Sequence, residues 1–309
     1  MPSFNEFTFL SSNGKNNVFV RECVPDGEIR GVVQIAHGLA EHCTRYDGLA
    51  AFLAEHDYLA VSNDHIGHGR SVAAPEDAGF LSGRSGWDKA VEDLRRLRVM
   101  TGAQYPDVPY VLFGHSMGSF LARTYLIRSG HDLDGCILSG TCQPPRHTLT
   151  AAALLIEQDI RRHGTHWRSR KLMQTALGMR SNTVGTAHTI CDWVSSDPEA
   201  VDEYLADPLC GTTPTAGLLR DMVGGMRFNA QPSNLRRMDP ALPVLFLSGE
   251  QDLIGGCGRG VIRAYRSFLN AGMTDVTLKL YPDSMHELLH DRCCGKVLQD
   301  ILRWLESKA

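Results

Sequence analysis

No apolar run in the 309 residues approaches the roughly 20 residues that a membrane-spanning helix needs, so no transmembrane segment is expected. The opening Met-Pro-Ser-Phe-Asn-Glu-Phe has neither a basic stretch nor an apolar one, and no secretory leader is expected there. The nine cysteines are odd in number and contain no C-x-x-C pair, and the adjacent Cys293 and Cys294 have poor geometry for bridging one another. Free thiols in a reducing cytoplasm follow as the expectation. The 13 histidines do not fall at ligand spacing with Cys or Glu, which argues against zinc. There is no internal repeat and no low-complexity linker. Positive charge is not in excess either: the net charge of −4 argues against nucleic acid as the main partner.

What is present is ordinary for a soluble globular protein, 43% hydrophobic and 21% charged. The length suits one large α/β domain, or one domain with an insertion. One stretch organises the rest. Tyr110, Val111, Leu112 and Phe113 make an apolar run of strand length, Gly114-His115-Ser116-Met117-Gly118 follows, and Phe120, Leu121 and Tyr125 then recur at helical spacing. This is G-x-S-x-G between a strand and a helix, the pattern of a nucleophile elbow. A turn that sharp leaves no room for side chains at 114 and 118, and both are glycine. It lifts the Ser116 hydroxyl above the sheet edge and aims the first amides of the new helix at the same spot.

Around that stretch the chain alternates strands and helices. Phe4 to Leu10 and Asn17 to Val24 flank Ser12-Asn13-Gly14 as a hairpin. Further strands are expected at Gly31 to Ala36, Leu59 to Ser62, Gly135 to Ser139, Leu242 to Ser248 and Val276 to Tyr281. Helices are expected near Arg45 to His56, Trp87 to Met100 and Arg259 to Asn270, with a last one carrying Val297, Leu298, Ile301, Trp304 and Leu305 on one face. Such alternation predicts a mostly parallel sheet covered on both faces. From roughly Gln143 to Met238 the rhythm stops, and helical periodicity with Gly and Pro breaks takes over. The expected organisation is a core of residues 1–142 and 239–309 with a helical lid of residues 143–238 inserted between them. Within the lid, Leu149, Ala153, Ile156 and Ile160 share one helix face. They pack the lid on the body, or in addition Ile156 and Ile160 wall an acyl channel.

A serine hydroxyl is a poor nucleophile until a base takes its proton, and the base needs an orienting acid. In this topology the three follow in the order Ser, Asp or Glu, His, each in a loop after a strand. The loop after Ser139 offers no carboxylate, whereas the loop after Ser248 reads Gly249-Glu250-Gln251-Asp252. Asp252 is the candidate acid and Glu250 its rival. The loop after Tyr281 supplies His286 as the base, with His290 as an alternative deeper in the following segment. An attacked carbonyl becomes an oxyanion, and each preorganised donor to it is worth about 10²–10³ in rate. The amide of Met117 is one candidate. Leu39, in His37-Gly38-Leu39 after the Gly31 to Ala36 strand, is the other. His37, His42 and the Asp64 to Ser71 loop read as scaffolding.

Five motifs together carry a resemblance: His-Gly-Leu-Ala-Glu-His-x-x-Arg-Tyr, Asp-His-x-Gly-His-Gly-Arg-Ser, Gly-His-Ser-Met-Gly-Ser, Ser-Gly-Glu-x-Asp and Tyr-Pro-x-x-x-His-Glu. The chain resembles the monoacylglycerol lipase and lysophospholipase branch of the α/β-hydrolase fold over almost its full length. The resemblance implies a serine hydrolase of single-chain acyl esters that needs no cofactor, with Ser116, Asp252 and His286 as its triad. It also implies that Glu41 and Arg45 help to form the polar end of the substrate pocket, although a helix-start salt bridge would explain them as well. Two departures, Leu253 and Ile254 after the acid and Ser284-Met285 before the histidine, leave the exact ester open. Monoacylglycerols lead, with lysophospholipids, other carboxylic esters and thioesters behind them, and a non-catalytic binding protein last. Arg161, Arg162, Arg168, Arg170 and Lys171, with Trp167 among them, could touch an anionic membrane surface through the lid, or simply be solvated.

Overall fold

The two alternating stretches at the start of the chain pair as an antiparallel hairpin, β1 (Ser3–Leu10) with β2 (Asn17–Val24). Gly14 takes a left-handed φ of 70° in the turn between them. The apolar runs that follow become β3 (Gly31–Ala36), β4 (Tyr58–Asn63), β5 (Tyr110–His115), β6 (Gly135–Ser139), β7 (Val244–Gly249) and β8 (Val276–Tyr281). This computed structural model describes residues 2–83, 85–169, 171–173 and 189–308. The eight strands form one sheet in the order β1-β2-β4-β3-β5-β6-β7-β8. Contacts β1–β2 and β2–β4 are antiparallel, and every later neighbour is parallel. That is the α/β-hydrolase fold.

Period-two alternation explains how the sheet is covered. Val33, Ile35, Val111, Phe113, Leu245 and Leu247 face one way, and their neighbours Val32, Tyr110, Leu112, Val244 and Phe246 face the other. On the first face lie α1 (Asp47–Ala54) and the last helix, α9 (Cys294–Glu306), which buries Val297, Ile301, Trp304 and Leu305. On the second lie α2 (Gly86–Gln104), α3 (Met117–Ser129) and α8 (Arg259–Asn270). The helix expected from Arg45 starts later. Cys43–Tyr46 winds as a 3-10 turn, where Asp64 Oδ1 accepts the Cys43 N–H at 2.7 Å. The same carboxylate accepts the Arg70 N–H at 2.6 Å, so the Asp64 to Ser71 loop is fixed from its first residue.

Between β6 and β7 the described residues hold α4 (Arg146–His163), α5 (Pro198–Ala206), α6 (Ala216–Asn229) and the short α7 (Pro232–Leu235). Among those residues there is no strand, only an isolated bridge from Arg168 to Thr215. Helix α6 lies deep, with Leu218, Leu219, Met222 and Val223 joining the core cluster that covers the second face of the sheet. A buried polar chain fixes it there. Trp87 donates to Thr124 at 3.0 Å, Thr124 donates to Asn229 at 2.9 Å, and Asn229 donates to the Phe120 carbonyl at 2.8 Å. Helix α4 rests on α6 through Leu149, Ala152 and Ile156, with Ala153 and Ile160 half-buried beside them.

Full burial of Ile156 inside a packed helix pair makes its removal a cavity problem. Ile156→Ala is expected to lower stability to urea by about 2–5 kcal/mol. Leu155→Ala, at a side chain 46% exposed on the same helix, should stay within about 0.5 kcal/mol. Equal midpoints for the two variants would contradict this packing.

Candidate active site

The carboxyl ends of the parallel strands are where a sheet of this kind presents its loops to a ligand. At the end of β5 the backbone turns through Ser116 with φ 49° and ψ −116°, a conformation strained for any residue with a Cβ. The Ser116 N–H donates to the Ser139 carbonyl at 3.0 Å, which holds the turn against the end of β6. Both glycines are required by contact. A Cβ at Gly118 would stand 2.0 Å from the Ala36 carbonyl oxygen, and one at Gly114 would stand 2.6 Å from that of Gly118.

His286, in the loop after β8, places Nε2 2.9 Å from Ser116 Oγ. Its Nδ1 lies 3.0 Å from Asp252 Oδ1, in the loop after β7. The approach is bent away from a straight hydrogen bond. Asp252 is fully buried, and the Ile254 N–H donates to its Oδ1 at 2.8 Å. The two loops touch so closely that a Cβ at Gly249 would stand 2.1 Å from the Ser284 carbonyl oxygen. Of the rival residues, Glu250 is exposed, and the pKa of His290 is pushed down to about 4 by burial and then by Arg45. For His286 burial works against the charged ring. The opposing charge of Asp252, followed by those of Glu287 and Glu41, outweighs it and holds the pKa above the ordinary 6.5. A hydroxyl, an imidazole and a buried carboxylate in this line can pass the serine proton to the ring and stabilise the resulting cation.

Leu39 and Met117 flank the serine from two sides. Met117 is the first residue of α3, and Gly38 lies so close that a Cβ there would stand 3.1 Å from Ser116 Cβ. Glu41 fixes this loop by accepting the Gly38 N–H on Oε1, which also accepts the Tyr46 hydroxyl at 2.9 Å. Arg45 reaches Glu41 Oε2 at 3.2 Å with Nε and Glu287 Oε2 at 2.5 Å with Nη2, and its guanidinium lies over the Tyr204 ring at 5.0 Å. Burial raises the Glu287 pKa against the pull of Arg45, and Glu41 adds to the rise. Sequence reasoning placed Glu41 and Arg45 here but gave Glu287 no role. Its side chain meets Arg45 across 242 positions of chain, a distance that carries no spacing signal.

Above Ser116 opens a cavity of about 200 Å³, lined mostly by apolar groups. The core contributes Leu39, Glu41, Ile254, His286 and Glu287, and the segment between β6 and β7 contributes Met173, Ile190, Trp193 and Tyr204. Ile156 and Ile160 do not border it. They pack against α6, as the lesser of the two expectations for that helix face allows. His37, His65 and His68 form a buried ring cluster, with centroids 4.2 Å apart for His37 and His65, and burial holds all three below 6.5. Of the basic residues, Arg168 donates to the carbonyls of Thr213, Glu76 and Ala78, while Arg161 and Arg162 are exposed. Arg170 lies outside the described residues. No helix among the described residues is long and apolar enough to cross a membrane.

A family model described as serine aminopeptidase, S33 matches residues 27–293. The chain is similar to the monoacylglycerol lipase of Mycolicibacterium smegmatis, 29% identical over 286 residues that cover 92% of this chain and 90% of the relative. With the monoglyceride lipase of Rattus norvegicus it shares 27% identity, 94% of this chain and 87% of that one being covered. Among solved structures, a highly thermostable carboxyl esterase from Bacillus coagulans in complex with glycerol superposes with a TM-score of 0.91 at 30% identity, over 99% of this chain and 98% of that chain.

The geometry separates Asp252 from Glu250 without any assay of turnover. Asp252 opposes the effect of burial on His286 most strongly and Glu250 takes no part, so Asp252→Asn should drop the His286 pKa below 6.5, read by NMR titration of the ring. Glu250→Gln should leave it in place. A shift caused by the Glu250 variant and absent from the Asp252 variant would reverse the pairing.

Proposed function

The chain belongs to this serine aminopeptidase, S33 family of α/β hydrolases, and we propose that it is a serine hydrolase cleaving the esters of single-chain lipids, monoacylglycerols first among them. The observation that carries the reading is the line from Ser116 Oγ through His286 to buried Asp252, opening into a mostly apolar cavity. Its relatives, named as monoacylglycerol lipases, support the ester class.

In the proposed reaction His286 Nε2 takes the Ser116 proton as Oγ attacks the ester carbonyl. Asp252 stabilises the imidazolium, and the N–H groups of Leu39 and Met117 receive the oxyanion. The imidazolium then returns its proton to the departing alcohol, leaving an acyl-serine. Water attacks that acyl group by the same route and frees the fatty acid. The part of residues 143–238 that carries Met173, Ile190 and Trp193 acts as a lid, and these side chains wall the acyl chain, while α6 stays in the core. Glu41, Arg45 and Glu287 mark the alcohol end. Both carboxylates take up the one guanidinium, so no cation at that end is free to hold a phosphate, which suits a neutral polyol better. This favours monoacylglycerols over lysophospholipids.

Ser116→Ala should lose about 10⁶-fold in kcat and all labelling by a fluorophosphonate probe. A purified variant keeping more than a few per cent of activity would refute the nucleophile. The base must be neutral to accept a proton, so kcat/KM should fall as the pH drops through the raised His286 pKa, with its acid midpoint above 6.5. On a panel of monoacylglycerols, lysophospholipids, acyl-CoA and amides, the monoacylglycerols should lead. With chain length kcat/KM should rise by up to about fourfold per buried methylene, near 0.8 kcal/mol each. A flat chain-length profile would mean that the cavity does not hold the acyl chain.

A further inference from the structure

We propose that His42, Asp207 and Cys210 form a binding site for a divalent cation of the zinc class, which fastens the loop after β3 to the turn after α5. The donor atoms of the three side chains all lie within 4.8 Å of one another. Imidazole nitrogen, carboxylate oxygen and thiolate sulfur are the three ligand types that zinc takes, and three protein ligands leave one position for water. The group differs from a chance surface cluster in that the His42 and Asp207 side chains are held from their far sides and the Cys210 backbone is fixed in a turn. Thr44 Oγ1 lies 2.8 Å from His42 Nδ1, which leaves Nε2 facing Asp207 Oδ2 at 2.7 Å. The Leu209 N–H donates to the other carboxylate oxygen, Asp207 Oδ1, at 2.8 Å. The Cys210 N–H donates to the Asp207 carbonyl at 3.0 Å, so residues 207–210 form a closed turn. Outer partners that orient ligands in this way are what metal sites rely on.

The surroundings suit a cation that enters from one side. His42 is buried, Cys210 half-buried, and the Asp207 side chain 27% exposed. Arg45 is the nearest opposing charge, and it is engaged by Glu41 and Glu287. On binding, His42 Nε2 gives its lone pair to the metal and the neutral ring carries its proton on Nδ1, donated to the Thr44 hydroxyl. The Cys210 proton leaves to solvent. The site stands beside the cavity wall, where Gly211 N–H and the Tyr204 hydroxyl donate to the Ala40 carbonyl at 2.9 and 3.1 Å. A bound ion would therefore clamp Ala40, Tyr204 and Gly211, all of which line the cavity.

The test uses the full chain, reduced and stripped by a chelator, and titrated with Co²⁺. One equivalent should produce a thiolate-to-cobalt charge-transfer band in the near ultraviolet, absent from Cys210→Ser and weakened at least about tenfold in affinity by Asp207→Asn. Zn²⁺ at about 100 times its Kd should raise the Tm of the unaltered chain by about 3–6 °C and leave that of Cys210→Ser unmoved. Fluorophosphonate labelling of Ser116 reports whether each variant is folded, and Asp207→Asn decides where the serine variant is not. No cobalt–thiolate band in the unaltered chain would overturn the proposal. So would a band that survives Cys210→Ser, since the ion would then sit on other thiols such as the adjacent Cys293 and Cys294.

Discussion

Everything at the catalytic edge depends on the turn at Ser116. A left-handed backbone at a residue with a Cβ costs about 1–3 kcal/mol and persists only where the surroundings leave no alternative. Here they leave none. Every residue of α3 from Met117 to Ile127 is buried, and its second residue, Gly118, presses on the carbonyls of Ala36 and His37. The helix cannot roll to relieve the serine without losing that packing. The same contact brings the end of β3 against the start of α3, so the Gly38–Leu39 loop must lie beside Ser116. Packing thus sets the serine and the loop together.

A second constraint is electrostatic. Glu41, Arg45 and Glu287 are all buried, and one guanidinium faces two carboxylates. Removing a partner from such a cluster leaves an uncompensated buried charge, typically worth 3–5 kcal/mol. Glu41 holds the Gly38 N–H, and at Glu287 burial and the Glu41 charge together exceed the pull of Arg45 and raise the pKa. The cluster joins the loop beside Ser116 to the residue that follows His286. Two loops from opposite ends of the chain are thereby kept in register by one arginine.

These constraints explain which parts of the molecule were legible in the sequence. Strands β2, β3, β6 and β8 and helix α8 begin and end where periodicity and turn residues place them, because each is a short apolar run with its own stop signals. The order of Ser116, Asp252 and His286 after β5, β7 and β8 was legible, and the structure brings all three together. Contacts made only in three dimensions were not. The Glu287–Arg45 pair, and the convergence of Trp193, Tyr204 and Ile254 on one cavity, have no local pattern. A spacing test for metal ligands could not find His42 and Asp207, which stand 165 positions apart. The apolar stripe on α4 was legible as a buried face, but periodicity does not say against what. The partner is α6, itself part of the core, so Ile156 is spent on packing and the cavity is walled by residues nearer α5.

The shape of the proposed selectivity follows from the way Arg45 is used. An arginine at the polar end of a lipid site would ordinarily draw a phosphate, because its donors match phosphate oxygens. In this site Nε and Nη2 are taken by carboxylates and the flat face lies over Tyr204. A phosphate would therefore find little of the guanidinium left to hold it. A glycerol headgroup needs no cation and can donate hydroxyl protons to the carboxyl oxygens. In the proposed function, the same ion pairs that keep the loop beside Ser116 in place thus also favour neutral alcohols over anionic ones. One buried cluster gives the site both its rigidity and the sign of its preference.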